Sequence, residues 1–183
     1  PWGRPEIAVH HDLPGLHFNL SHTHGLIALA VSTQRMLGVD VENVAVRTPS
    51  AGIAEHYFSP TEVAALATLP PALRGERFFE YWTFKESYIK ARGMGLSLPL
   101  DRFSFHFPDA HQVHLAVDAD LDDDARNWQF WQCRPTPDHL LALCAERREG
   151  VLTVHSLVPM RDHASVDVAW LRTSTHARMV VPE

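Results

Sequence analysis

The 183-residue sequence predicts an α+β fold built as one compact unit. Three observations carry this reading. Short apolar or alternating runs of strand length stand toward both ends of the chain, whereas the central stretch repeats its apolar positions at spacings of three and four. The composition is 45% hydrophobic with no low-complexity tract, which suffices for a continuous core.

The elements follow in order. His17 to Ser21 and Leu26 to Ser32 read as two strands joined by His22-Thr23-His24-Gly25, and the second is a continuous apolar run suited to burial on both faces. Gly38 to Glu42 is a third short strand, and the polar, Pro- and Gly-containing residues from Asn43 to Gly52 form a connection. Ser59-Pro60-Thr61-Glu62 has the form of a helix start: Ser59 as N-cap, Pro60 at the first helical position and Glu62 completing a capping box. That helix runs to about Leu69, and Pro70-Pro71 stops it. A longer helix spans Leu73 to about Arg92, with Phe78, Tyr81, Trp82, Lys85 and Ile89 at helical spacings and Gly93, Gly95 and Pro99 as breakers.

Five further runs, Phe103 to Phe107, Val113 to Val117, Trp128 to Cys133, Leu140 to Ala145 and Leu152 to Val158, predict an antiparallel meander. From about Met160 the chain turns polar and is expected to be a peripheral tail. Residues 17–32 and 128–145 share a strand, turn, buried-strand pattern, a faint internal echo that allows two similar halves.

Composition narrows the function classes. A formal charge of −6 disfavours a general nucleic-acid binder, although Arg74, Arg77, Lys85, Lys90, Arg92 and Arg102 gather around the central helix and suit an anionic ligand. No apolar run approaches the roughly 20 residues that span a bilayer, and the first residues lack the basic and apolar regions of a signal peptide. The plain expectation is a cytoplasmic protein without membrane partners. Cys133 and Cys144 lack CxxC spacing and read as reduced, packed side chains. The chain opens on Pro1 and enters a strand hairpin almost at once, so a missing N-terminal segment is expected.

The residues that can carry chemistry fall in four places. Asp40 and Glu42, one residue apart on a strand, share a face and offer hard oxygen ligands suited to magnesium or manganese; alone, they equally describe a solvated strand edge. Glu86 and Lys90 share a helix face as an ordinary i, i+4 ion pair would, but Trp82 and Ile89 flank them with apolar surface, where an unpaired ion needs a metal, phosphate or counter-charge. Lys85 reads as a snorkelling lysine. Ser21 and His22 end a strand where they can bond a phosphate or simply stabilise their own turn. His22-x-His24 is a weak zinc signal without a third ligand. Glu62 is explained by capping, though a capping glutamate can still face a cleft.

Taken together, Phe18-Asn-Leu-Ser-His22, Gly38-Val-Asp-Val-Glu42, Phe58-Ser-Pro-Thr-Glu62 and Trp82-Thr-Phe-Lys-Glu-Ser-Tyr-Ile-Lys-Ala91, followed by Gly93-Met-Gly-Leu-Ser-Leu-Pro-Leu100, resemble the 4′-phosphopantetheinyl transferase family in its larger, surfactin-synthetase-activating (Sfp) type. The resemblance is close over residues 3–107 and extends beyond them only in strand pattern. It implies a pseudo-dimeric fold of two similar halves with coenzyme A between them: residues 1–35 as a truncated remnant of the first half, 36–160 as the second and 161–183 as the tail. It further implies magnesium held by Asp40, Glu42 and Glu86, pyrophosphate bound by Lys90, and the nucleotide 3′-phosphate met by Ser21 and His22. Gly3-Arg4-Pro5 resembles the element near the adenine, with Arg4 where lysine is frequent, and Glu62 matches the proposed general base.

The implied reaction moves phosphopantetheine from coenzyme A to a serine of an apo acyl or peptidyl carrier protein and releases adenosine 3′,5′-bisphosphate. The implied enzyme is a monomer, an internal pseudo-dimer. A non-catalytic module binding coenzyme A or carrier domains, or a metal-dependent phosphohydrolase, are the alternatives. The carrier and its pathway are not readable from these residues.

Overall fold

In the computed structural model, which describes residues 15–46, 49, 52–158 and 160–174, the chain opens with a hairpin of β1 (His17–Thr23) and β2 (Leu26–Ser32). Gly25, at φ 85°, supplies the left-handed residue their turn requires. β3 (Leu37–Asn43) follows, then helices α1 (Ile53–Tyr57), α2 (Pro60–Thr68) and α3 (Pro71–Arg92). A second hairpin joins β4 (Phe103–His106) to β5 (His114–Val117), and a third joins β6 (Trp128–Thr136) to β7 (His139–Glu146). β8 (His155–Val158) pairs with β9 (Asp162–Ser165), and β10 (Trp170–Thr173) is the last described strand. The main sheet is antiparallel in the order β10-β6-β7-β3.

The sheet is the middle of three layers because its strands alternate apolar residues on both faces. Phe130, Leu140, Ala142 and Cys144 face α3, where Phe84 and Tyr88 are wholly buried against Phe103 and Phe105. Each such aromatic contributes on the order of 1.5–3 kcal/mol through area removed from water. On the other face, Val39, Val41, Trp131 and Leu143 pack with Ala28, Leu26 and Ala30 of the hairpin. Period-two alternation thereby turns Gly38, Asp40 and Glu42 toward α3.

β3 is an edge strand, and β1 closes that edge with side chains instead of a backbone ladder. Asn19 Oδ1, Ser21 Oγ and Thr23 Oγ1 accept from the N–H groups of Val39 (2.9 Å), Val41 (3.3 Å) and Asn43 (3.3 Å). Three alternate polar residues on one strand satisfy three alternate donors on the next. The hairpin turn is held in place by His139, whose Nε2 lies 2.8 Å from the His24 carbonyl.

Helix boundaries agree with the chemistry of their ends. The Ser59–Glu62 capping box is complete, and Gly93 closes α3 at φ 66°. α3 begins at Pro71, two residues before the expected Leu73. The connection after β3 leads into a short helix, α1, that the sequence pattern does not announce.

Three expectations are corrected. β2 is not buried on both faces: Ile27, Leu29 and Val31 are 70%, 60% and 55% exposed, because only the inner face of its hairpin meets the sheet. The segment after Met160 is not wholly peripheral, since β10 pairs with β6. Arg172 on β10 is buried against Glu80, with Nη1 at 2.9 Å from Oε1, and lies over the Phe107 ring. The strand expected at Leu152 to Val158 starts at His155, and β8 is exposed along its length instead of joining the meander.

Candidate active site

The site forms where α3 touches β3. A Cβ on Gly38 would stand 2.2 Å from the Ser87 carbonyl oxygen and 2.4 Å from the Ala91 nitrogen, so only glycine permits the helix this close. Two residues further along the same strand face, Asp40 meets the polar side of α3. Lys90 Nζ donates to Asp40 Oδ1 (2.7 Å), Ser21 Oγ (3.0 Å) and the Val39 carbonyl (3.1 Å), which uses all three of its protons. Ser21 in turn donates to Asp40 Oδ1 at 3.0 Å. The ordinary i, i+4 pairing of Lys90 with Glu86 is thus not what the helix makes; Lys90 pairs across elements with Asp40.

Asp40 is buried, and its second oxygen, Oδ2, has no hydrogen-bond partner. An orphaned carboxylate oxygen in a low-dielectric setting is costly unless a cation or donor reaches it. Glu86 stands nearby with its carboxyl pushed up to about 7, first by burial and then by the negative charges of Asp40 and Glu42; Lys90 offsets this only in part. The unsatisfied Asp40 oxygen and the neighbouring Glu42 and Glu86 carboxyl groups are hard oxygen donors, the type a divalent cation takes when phosphate or water oxygens complete its shell. Among the described residues, no three His, Cys, Asp or Glu side chains converge into a ready-made metal cage. Further ligands would therefore come from a bound substrate.

The other expected residues are placed differently. His22 follows Ser21 on the strand, and alternation sends it to the exposed outer face of the hairpin opposite Ile27, away from Asp40. Arg4 lies outside the described residues.

Glu62 does not open into the cleft. Its side chain is fully buried, Oε2 accepting from the Ser59 N–H (2.9 Å), Ser59 Oγ (3.0 Å) and Lys85 Nζ (2.8 Å), and Oε1 from the Phe105 N–H (2.9 Å). Its four donors commit the carboxylate to the fold and away from solvent, an arrangement that speaks for a structural role over the expected general base. Lys85 is not a snorkelling side chain either. It is fully buried, burial pulling its ammonium down while Glu62 holds it up.

Sequence patterns overlooked the ring of groups that fixes α3. Asp123 Oδ2 accepts from Tyr88 Oη, Arg92 Nη1 (2.5 Å) and Trp128 Nε1 (2.8 Å), and burial with Asp123 pushes the Tyr88 hydroxyl well above its usual range. Asn19 and Thr23 of the β3 edge were also missed, though the alternation Asn19-x-Ser21-x-Thr23 was their signal.

A sequence model described as the 4′-phosphopantetheinyl transferase superfamily matches residues 36–144, the stretch that carries Asp40, Glu42, Glu86 and Lys90. The chain belongs to that superfamily. A Bacillus subtilis 4′-phosphopantetheinyl transferase is 35% identical over 147 residues, covering 75% of this chain and 62% of its own length. The transferase Sfp of Bacillus subtilis strain 168 is 34% identical over 144 residues, covering 79% and 60%. This superfamily member thus spans about three fifths of the curated relatives it matches. A solved Thermotoga maritima holo-[acyl-carrier-protein] synthase shares 19% identity at a TM-score of 0.49, over 69% of this chain and 71% of its own.

Proposed function

We propose that the chain transfers 4′-phosphopantetheine from coenzyme A to a serine hydroxyl of an apo acyl or peptidyl carrier protein, with magnesium, or manganese in its place, and releases adenosine 3′,5′-bisphosphate. The observation that carries the reading is the meeting of Asp40, Glu86 and Lys90 at the α3–β3 contact, with Asp40 Oδ2 unsatisfied. The names of the relatives support the reaction class.

In this scheme Asp40, Glu42 and Glu86 would hold the cation, and a bound cation would supply charge neutralisation of the pyrophosphate and Lewis-acid polarisation at phosphorus. Lys90 turns from Asp40 to a pyrophosphate oxygen and stabilises the charge gathering on the leaving bisphosphate. The serine oxygen forms its bond to phosphorus as the pyrophosphate bridge breaks, and the serine proton leaves through a water held by Glu86. Ser21 keeps Asp40 oriented throughout. If the enzyme is pseudo-dimeric, the exposed outer face of β2, with Ile27, Leu29 and Val31, would be covered by the rest of the first half.

The test is the mass of apo carriers from fatty-acid, polyketide and nonribosomal-peptide systems, incubated with the full chain, magnesium and coenzyme A. A gain of one phosphopantetheine group, lost on Glu86→Ala, is expected. No gain on any carrier sinks the reading: magnesium-dependent coenzyme A binding without turnover would mark a binding module, and release of product without carrier a phosphohydrolase.

A further inference from the structure

Lys85 and Glu86 are adjacent on α3 yet face different surroundings, one in the core and the other at the site. The three N–H bonds of the Lys85 ammonium meet three acceptors: the Leu100 carbonyl (2.7 Å), the Phe103 carbonyl (2.7 Å) and Glu62 Oε2 (2.8 Å). The ammonium also stands 4.3 Å from the centroid of the Phe103 ring. Glu62 in turn grips the first turn of α2 through Ser59 and the start of β4 through the Phe105 N–H. One ion pair therefore ties α3 to α2, to β4 and to the turn that precedes β4.

We propose that Glu62 and Lys85 are a positioning pair, setting the rotation of α3 about its axis so that Glu86 and Lys90 face Asp40. The inference rests on the reading that these three residues are the working groups. Contact at Gly38 fixes how near the helix lies to β3 and the ring of groups around Asp123 holds its last turns, while the Glu62–Lys85 pair restrains its rotation on the side that faces α2 and β4. A side-chain end about 6 Å from the helix axis moves about 1 Å for a turn of roughly 10°, and errors of that size are enough to cost about 100-fold in rate. A core lysine that reaches α2, β4 and the turn before β4 through three hydrogen bonds resists such a turn. An apolar residue of the same length would fill the space without specifying the angle.

Four proteins test this: wild type, Lys85→Met, Glu62→Gln and the double variant, which removes both charges at similar volume and so guards against simple unfolding. Near-ultraviolet circular dichroism and melting confirm the fold of each. Positioning predicts that kcat for carrier loading falls roughly 10- to 100-fold in each single variant. The double variant should lose no more than the worse single one, and the acid limb of the pH–rate profile should persist in all three.

Mn2+ affinity, read by electron paramagnetic resonance without carrier or coenzyme A, should weaken roughly 10-fold in the double variant, consistent with displaced carboxylates. Loss of the acid limb in Glu62→Gln beside a near-normal Lys85→Met would overturn the proposal and make Glu62 the base. Unchanged kcat and Mn2+ affinity in folded variants would overturn it as well, leaving the pair a fold element only. If wild type loads no carrier, the transferase reading fails and the Mn2+ arm alone decides; wild type that binds no Mn2+ leaves nothing to position and ends the proposal.

Discussion

Glu86 is a carboxyl whose proton comes off near neutrality because its surroundings disfavour a third negative charge. Its folded value, about 7, lies above the ordinary 4.5, so the folded chain holds the proton through a range where the unfolded chain has released it. The resulting stability is fully present below about pH 4.5 and is lost as pH rises through about 7. In divalent-free buffer, Glu86→Gln should melt close to wild type at pH 5 and be more stable by about 1–3 kcal/mol at pH 8. Equal melting of the two at pH 8 would show that the carboxyl is not held up. The residue types here were legible from spacing alone, since Asp40 and Glu42 share a strand face in any strand. The true partner of Lys90 was not, because pairing across 50 residues depends on how closely a helix settles on a strand.

That closeness belongs to the elements. Gly38→Ala pushes a methyl into the α3 backbone, which no rotamer change can relieve. It should destabilise the protein by about 1–3 kcal/mol and reduce carrier loading more than a surface glycine change such as Gly75→Ala, whose added Cβ meets nothing. Comparable loading by the two variants would mean that the α3–β3 spacing is not critical. Helices were the best-read elements, as Ser59, Pro60, Glu62 and Gly93 write their ends into the chain. β2 was misread because a run such as Leu26-Ile-Ala-Leu-Ala-Val looks the same whether one face or two are covered. β10 was hidden by its charge: Arg172 reads as a solvent residue until Glu80 is placed beside it.

At the scale of the whole molecule, the three layers are unevenly finished. α3 is wrapped on its inner side by an aromatic core, whereas the hairpin layer leaves Leu20, Ile27, Leu29 and Val31 in solvent. Such a patch binds amphiphilic dyes. Anilinonaphthalene sulfonate fluorescence should be appreciable in this chain under native conditions and fall in Leu29→Lys with the melting temperature little changed; dye binding indifferent to Leu29 would place the apolar surface elsewhere.

The side-chain closure of the β3 edge also divides the protein in time. Side-chain acceptors on Asn19, Ser21 and Thr23 are easier to release than a backbone ladder, so the first hairpin can lift away while the sheet stays intact. Ser21 would leave with it, taking one of the partners of Asp40 and Lys90. The amides of Val39, Val41 and Asn43 should then exchange with deuterium as a group, faster than those of β6 and β7, and faster still in Asn19→Ala. Exchange of these three at the rate of the central strands would mean that the hairpin never leaves. A ligand that grips Ser21 and Lys90 together would slow all three amides at once, making the edge of one strand a clock for occupancy of the site.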